Sequence, residues 1–120
     1  MVTAQREKHT TTREGKRLLW YTERLWELAK NLEPFYVPLD KIAELDKNCW
    51  FGAREPTLRE VAKHAKRISE ADLSYPIILN DDGSLMDGGH RICKALIEGQ
   101  TSILAVKFAE MPTPDDILGE

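Results

Sequence analysis

Residues 76–97 limit the possible folds more than any other part of the chain. Pro76-Ile77-Ile78-Leu79 is a short continuous apolar run and predicts a buried strand. Asn80-Asp81-Asp82-Gly83-Ser84 has the Asn, Asp and Gly content of a turn, and Leu85-Met86 is its hairpin partner. Asp87-Gly88-Gly89-His90-Arg91 follows at once, and Ile92, Cys93, Ala95, Leu96 and Ile97 then recur at helical spacing up to Gly99, a C-terminal glycine cap. A strand, two glycines and a helix start carrying His and Arg make an anion site. The first-turn amides of a helix have no internal partner, and the helix dipole places partial positive charge there. Glycine lets the backbone approach a phosphate closely, and arginine adds a fork that matches phosphate geometry. Gly88, Gly89, His90 and Arg91 are therefore the candidate phosphate or nucleotide contacts.

The remaining elements follow from periodicity. Residues 1–14 are polar and Thr-rich and read as a disordered lead-in. From Gly15 to Leu32 the pattern predicts a helix, with Leu18, Leu25, Leu28, Ala29 and Leu32 on one stripe and Trp26 beside it. Trp20 and Tyr21 lie off that stripe, so the helix is expected to touch more than one neighbour. Pro34 ends it. Phe35 to Leu39 reads as a strand whose Pro38 marks a sheet edge or a strand end. Asp40 caps a single turn through Ile42 and Leu45. Residues 46–54 are irregular. Thr57-Leu58-Arg59-Glu60 is a capping box opening a helix with Leu58, Val61, Ala62, Ala65 and Ile68 at helical spacing. Thr101 to Phe108 is a last strand. The order predicts a compact α+β domain over residues 15–108, with a small mixed sheet and an added N-terminal helix.

A chain of 120 residues with 42% apolar content fits one core. Its net charge of −3 argues against bulk nucleic-acid binding, which relies on clustered positive charge. Lys and Arg concentrate in residues 1–17. Glu110, Asp115, Asp116 and Glu120 make residues 109–120 an acidic tail, expected to be solvated. No apolar run approaches the ~18 residues of a membrane span, and the N-terminus has no signal-peptide core. Cys49 and Cys93 have no zinc-ligand spacing. The expectation is a reduced, cytoplasmic protein.

Leu39-Asp40-Lys41-Ile42, the Tyr75-Pro76-Ile77-Ile78-Leu79 strand, and Asp87-Gly88-Gly89-His90-Arg91 with Ala95 and Gly99 together resemble the ParB N-terminal domain and sulfiredoxin superfamily. The likeness covers roughly residues 35–108. It implies a nucleotide (ATP, ADP or CTP), with Mg²⁺, held at the glycine turn by the Gly88 and Gly89 amides, His90 and Arg91. Sulfiredoxins carry a nucleophilic Cys directly before His-Arg; Gly89 stands there, which argues against that activity. ParB proteins continue into a helix-turn-helix region and usually have Gly-Glu-Arg-Arg at the turn, so a complete partition protein is not expected. Asp-Gly-Gly-His-Arg is nearer to the serine-kinase-like branch. That branch places an acidic residue after the first strand to activate a hydroxyl, which counts to Asp46 here, or to Glu44 if the register slips.

Each candidate also has a plainer role. Asp87 holds a metal, binds a ribose or substrate group, or caps the helix. Gly88 and Gly89 serve a tight turn or a ligand. Asp46 is a general base or a turn residue. Trp50 and Phe51 stack on a ligand ring or plug the core. Arg59, Lys63, Lys66 and Arg67 form a solvated helix face or meet an acidic partner. Three functions follow: a phosphoryl-transfer or NTP-hydrolysing enzyme using Asp46 or Asp87; a nucleotide-switched interaction module with a protein partner or homodimer on Trp20, Tyr21 and Trp26; or a DNA-associated accessory, which the charge disfavours.

Overall fold

The computed structural model describes residues 7–118. The outer parts of both expected tails, 1–6 and 119–120, lie outside the described residues. Within them the chain is an α+β domain of two small sheets and three α-helices.

The centre is a pair of parallel strands, β4 (Ile77–Leu79) and β6 (Ser102–Lys107). β3 (Phe35–Pro38) runs antiparallel beside β6, and β5 (Leu85–Asp87) antiparallel beside β4. The order β3-β6-β4-β5 gives the small mixed sheet that the sequence predicts, with the Pro38 strand on its edge. Side chains alternate across a strand, so this sheet has two buried faces. Ile77, Leu79, Ile103 and Ala105 pack on one side with Leu39, Ile42, Ile92 and Ala95. Ile78, Val106, Met86 and Phe108 pack on the other with Trp20, Leu25 and Ala29. Two-sided burial is why Ile77-Ile78-Leu79 is apolar without a break.

The N-terminal third departs from the sequence reading. Residues 8–13 are not a disordered lead-in, and residues 16–21 are not helical. β1 (Lys8–Arg13) and β2 (Lys16–Tyr21) form a hairpin paired from Arg13 opposite Lys16 to Lys8 opposite Tyr21. Glu14 and Gly15 turn it, both with positive φ (53° and 76°), as a two-residue hairpin turn requires. Thr10-Thr11-Thr12 supplies β-branched residues that suit a strand. Its polar exterior leaves no alternation to detect. The position of Trp20 and Tyr21 off the helical stripe was the visible sign: Trp20 is fully buried on a strand. The helix is only α1 (Thr22–Ala29), which buries Thr22, Leu25 and Ala29.

The acidic C-terminal segment is also attached. Residues 116–117 form β7 (Asp116–Ile117) against β2. The Trp20 indole N–H donates to the Pro112 carbonyl at 2.9 Å. Asp115 accepts from the Tyr21 amide at 2.8 Å and lies 3.4 Å from the Arg24 guanidinium.

α2 (Leu58–Glu70) begins at the expected capping box. The Glu60 amide donates to Thr57 Oγ1 at 3.2 Å, and the Thr57 amide to Glu60 Oε1 at 3.1 Å. Its apolar stripe is not core, however. Leu58 is 91% exposed and Val61 48%. The helix turns Glu60, His64 and Ile68 inward, because α3 (Gly89–Ile97) meets it through polar contacts. Lys94 Nζ donates to the Ser69 and Ala71 carbonyls at 3.1 and 2.6 Å, closing the end of α2. Among the described residues no helix is long and apolar enough to cross a membrane.

Burial therefore separates two similar-looking substitutions. Ile77→Ala is expected to cost about 2–5 kcal/mol in urea unfolding, and Leu58→Ser to stay within about 0.5 kcal/mol. Equal losses would mean that the α2 stripe is buried.

Candidate functional site

A cleft of ≈ 1710 Å³ opens where α3 begins, between α2, the β1–β2 hairpin and α1. Asp87, Gly88, Gly89, His90 and Arg91, the residues singled out in the sequence, all line it. Their roles are more specific than expected.

Gly88 precedes α3 with φ 129°, a conformation that side chains rarely adopt. A Cβ there would lie 2.4 Å from Ile77 Cγ2. A Cβ on Gly89 would lie 3.2 Å from Trp50 Cζ2. Packing thus accounts for both glycines: Gly88 lets α3 start against β4, and Gly89 makes room for an indole. No side chain caps α3, so its first amides have no side-chain partner.

Arg91 is not a free phosphate fork. Its Nη2 donates to Asp87 Oδ2 at 2.7 Å, and its Nη1 to the Pro76 and Tyr75 carbonyls at 2.6 and 3.1 Å. Asp87 Oδ2 also accepts from the Trp26 indole N–H at 2.8 Å. Asp87 therefore does not cap α3; with Arg91 it ties the end of β5 to the start of β4 and to α1. The pairing is half-buried, where a charge-assisted bond is stronger than on the open surface.

Asp46 is exposed at the end of the 3-10 turn Ala43–Asp46 and does not line the cleft. Glu44, the slipped-register alternative, does, and its Oε1 is buried without a hydrogen-bond partner. Of the three aromatic residues proposed as an interface, Trp20 is buried and Tyr21 lies on β2. Only Trp26, 54% exposed, presents a surface on α1.

Three residues outside the motif, His9, His64 and Trp50, complete the site. All three histidines of the chain, His9, His64 and His90, line the cleft. His64 Nδ1 and His90 Nε2 share a hydrogen bond at 2.7 Å. Trp50 stacks on both rings, with centroids 4.2 and 4.5 Å away and planes within 10° and 12°. Phe51 stands edge-on to Trp50 and to His64. His9 reaches in from β1, where its Nε2 meets Thr11 Oγ1 at 2.7 Å. The sequence signal for His64 was its i+4 position after the Glu60 cap residue, which alone says nothing of a ligand.

The histidines are held neutral. Burial, then the nearby Arg67 guanidinium, then His64 push His90 down to about 4. Burial and Arg67 lower His64, and burial lowers His9 against the opposing fields of Asp87 and Glu44. A neutral pair needs only one shared proton, which the 2.7 Å contact accommodates. Burial raises the thiols of Cys49 and Cys93, so neither is an activated nucleophile. Among the described residues no group of three or more His, Cys, Asp or Glu side chains is placed to hold a metal ion.

The fold and site define a small α+β domain with a cleft that gathers an uncapped helix start, stacked rings and a buried carboxylate oxygen. Comparison with protein-family models, curated proteins and solved structures gives no match.

Two outcomes test this geometry. Gly88→Ala is expected to destabilise the domain by more than about 1 kcal/mol, because both φ and Ile77 oppose a side chain. Folded-state histidine pKa values below those of the unfolded chain mean that unfolding takes up protons. Stability should then fall as the pH drops from 6.5 toward 4, read as a decreasing Tm in phosphate-free buffer. His90→Phe should flatten that slope; an unchanged slope would place the titrating group elsewhere.

Proposed function

We propose that this domain binds a nucleotide in the cleft, with phosphates at the first amides of α3. The observation that carries the reading is the start of α3, which has no side-chain cap and borders the ≈ 1710 Å³ cleft. His64, His90 and Tyr75 line the same space and offer ring surfaces for a base. The reading as a ParB/sulfiredoxin-like domain belongs to this proposal. It is supported by Pro-Ile-Ile leading into β4, with Asp-Gly-Gly-His-Arg running from the neighbouring β5 into α3.

The roles within that reading are these. The Gly89, His90 and Arg91 amides bind phosphate. The Arg91 side chain acts through Asp87 and the strand carbonyls, as a positioning residue. Mg²⁺ arrives with the phosphates, as it commonly does, rather than in a preformed protein cage. If a phosphoryl group is transferred, Glu44 is the carboxylate that meets the acceptor, since its Oε1 has no donor and Asp46 faces away from the cleft.

A non-enzymatic switch is the second reading. It is favoured by the mutual neutralisation of Asp87 and Arg91, which removes one candidate base and one candidate cation.

Calorimetric titration with ATP, ADP, CTP and GTP, each with Mg²⁺, tests the first claim. At least one is expected to bind at micromolar to millimolar concentration. His90→Asp should weaken it at least about tenfold by like-charge repulsion, although a carboxylate in the first turn favours the helix itself. Glu44→Gln should retain binding and lose any turnover. The proposal fails if none of the four binds at millimolar concentration.

A further inference from the structure

The stacked rings carry a more specific conclusion about the ligand, one that rests on the nucleotide reading. His64 and His90 lie nearly in one plane, tilted by 13° with centroids 5.0 Å apart, and their facing nitrogens are hydrogen-bonded. Two five-membered rings joined edge to edge make a single flat shelf. Trp50 covers both halves of it almost equally. That requires a bicyclic ring; a single six-membered ring centred on one imidazole leaves the other uncovered.

Trp50 is also held lightly. Among the described residues no hydrogen bond engages its indole N–H, so its ring contacts retain it. It sits in the segment 47–57, which has no helix or strand. Within the turn, Asn48 Nδ2 donates to the Gly52 carbonyl at 2.8 Å, and the Phe51 amide to Asn48 Oδ1 at 3.0 Å. The segment is tied at its ends, where Cys49 Sγ donates to the Glu44 carbonyl at 3.8 Å and Arg54 Nη1 to Glu60 Oε1 at 2.8 Å, but none of these bonds involves the Trp50 side chain, so its ring can turn out without breaking them. Finally, the indole lies against Gly89, the first residue of α3. A ring taking its place is next to the amides assigned to phosphate.

We infer that the His64–His90 shelf is a base-binding subsite, that Trp50 is its internal occupant, and that the ligand whose ring displaces Trp50 is a purine nucleotide. The neutral state of both imidazoles suits this role, since an uncharged base then stacks without an ion having to be desolvated.

The test compares inorganic pyrophosphate, ADP, GDP, CDP and UDP on the full chain by calorimetry. ADP and GDP are expected to bind about tenfold more tightly than CDP and UDP. Trp50→Ala vacates the shelf and should tighten the purine nucleotides several-fold while leaving pyrophosphate unchanged. Trp50→Leu, which still fills space under the loop, should act in the same direction. His64→Ala should remove the purine preference alone. Equal affinity for all four nucleotides, with pyrophosphate still bound, overturns the shelf and leaves the phosphate reading standing. Purine affinity unchanged or weakened in both Trp50 variants also overturns it. If not even pyrophosphate binds, both readings fall together.

Discussion

Because β4 and β6 are covered on both faces, the elements around them have to supply two layers. α3 and the 3-10 turns around Leu39 and Ile42 cover one face; β2 and α1 cover the other, through Trp20, Leu25 and Ala29. That demand also places the cleft. Ile77 sits so close to the end of β5 that only a glycine with positive φ fits at position 88. The chain must therefore turn sharply into α3 at that point, and the first turn of α3 is left without a side-chain cap. A packing constraint in the core thus creates the uncapped, half-buried helix start on which the functional reading depends.

Electrostatics around that start are balanced by unusual partners. Arg91 and Asp87 neutralise each other and hold three segments together through Trp26 and the Tyr75 and Pro76 carbonyls. The histidines, which a helix dipole disfavours as cations, are kept neutral by burial and by Arg67. Beside the cleft, the first amides of α3, which have no side-chain cap, and the Glu44 Oε1 remain without a side-chain partner among the described residues. These are the groups on which the nucleotide proposal rests.

How far the residues could be read by eye varied with the range of the forces involved. The capping box at Thr57 and Glu60, the 76–79 strand, its turn and the glycine end of α3 were legible because each depends on neighbours within a few positions. The hairpin over 8–21 was not. Leu18 fell by coincidence on a helical stripe, and polar Thr10-Thr11-Thr12 showed no alternation, so only pairing with β2 reveals the strand. The apolar stripe of α2 misled in the opposite sense. Its spacing describes a helix correctly, but spacing cannot say whether another element covers that stripe, and Leu58 stays in solvent.

The same division applies to the site. By itself the sequence determined that a strand, a two-glycine turn and a helix would present His90 and Arg91 at one end of α3, because backbone chemistry at 87–91 allows little else. Only the tertiary structure decided that Arg91 would be occupied by Asp87, and that Glu44 rather than Asp46 would face the cleft. It alone brought His64 and Trp50 to His90 and placed His9 in the same cleft. The physical reason is distance along the chain: Trp26 meets Asp87 across 61 positions and His64 meets His90 across 26. Such contacts are selected by how the layers close over β4 and β6, and no local propensity records them.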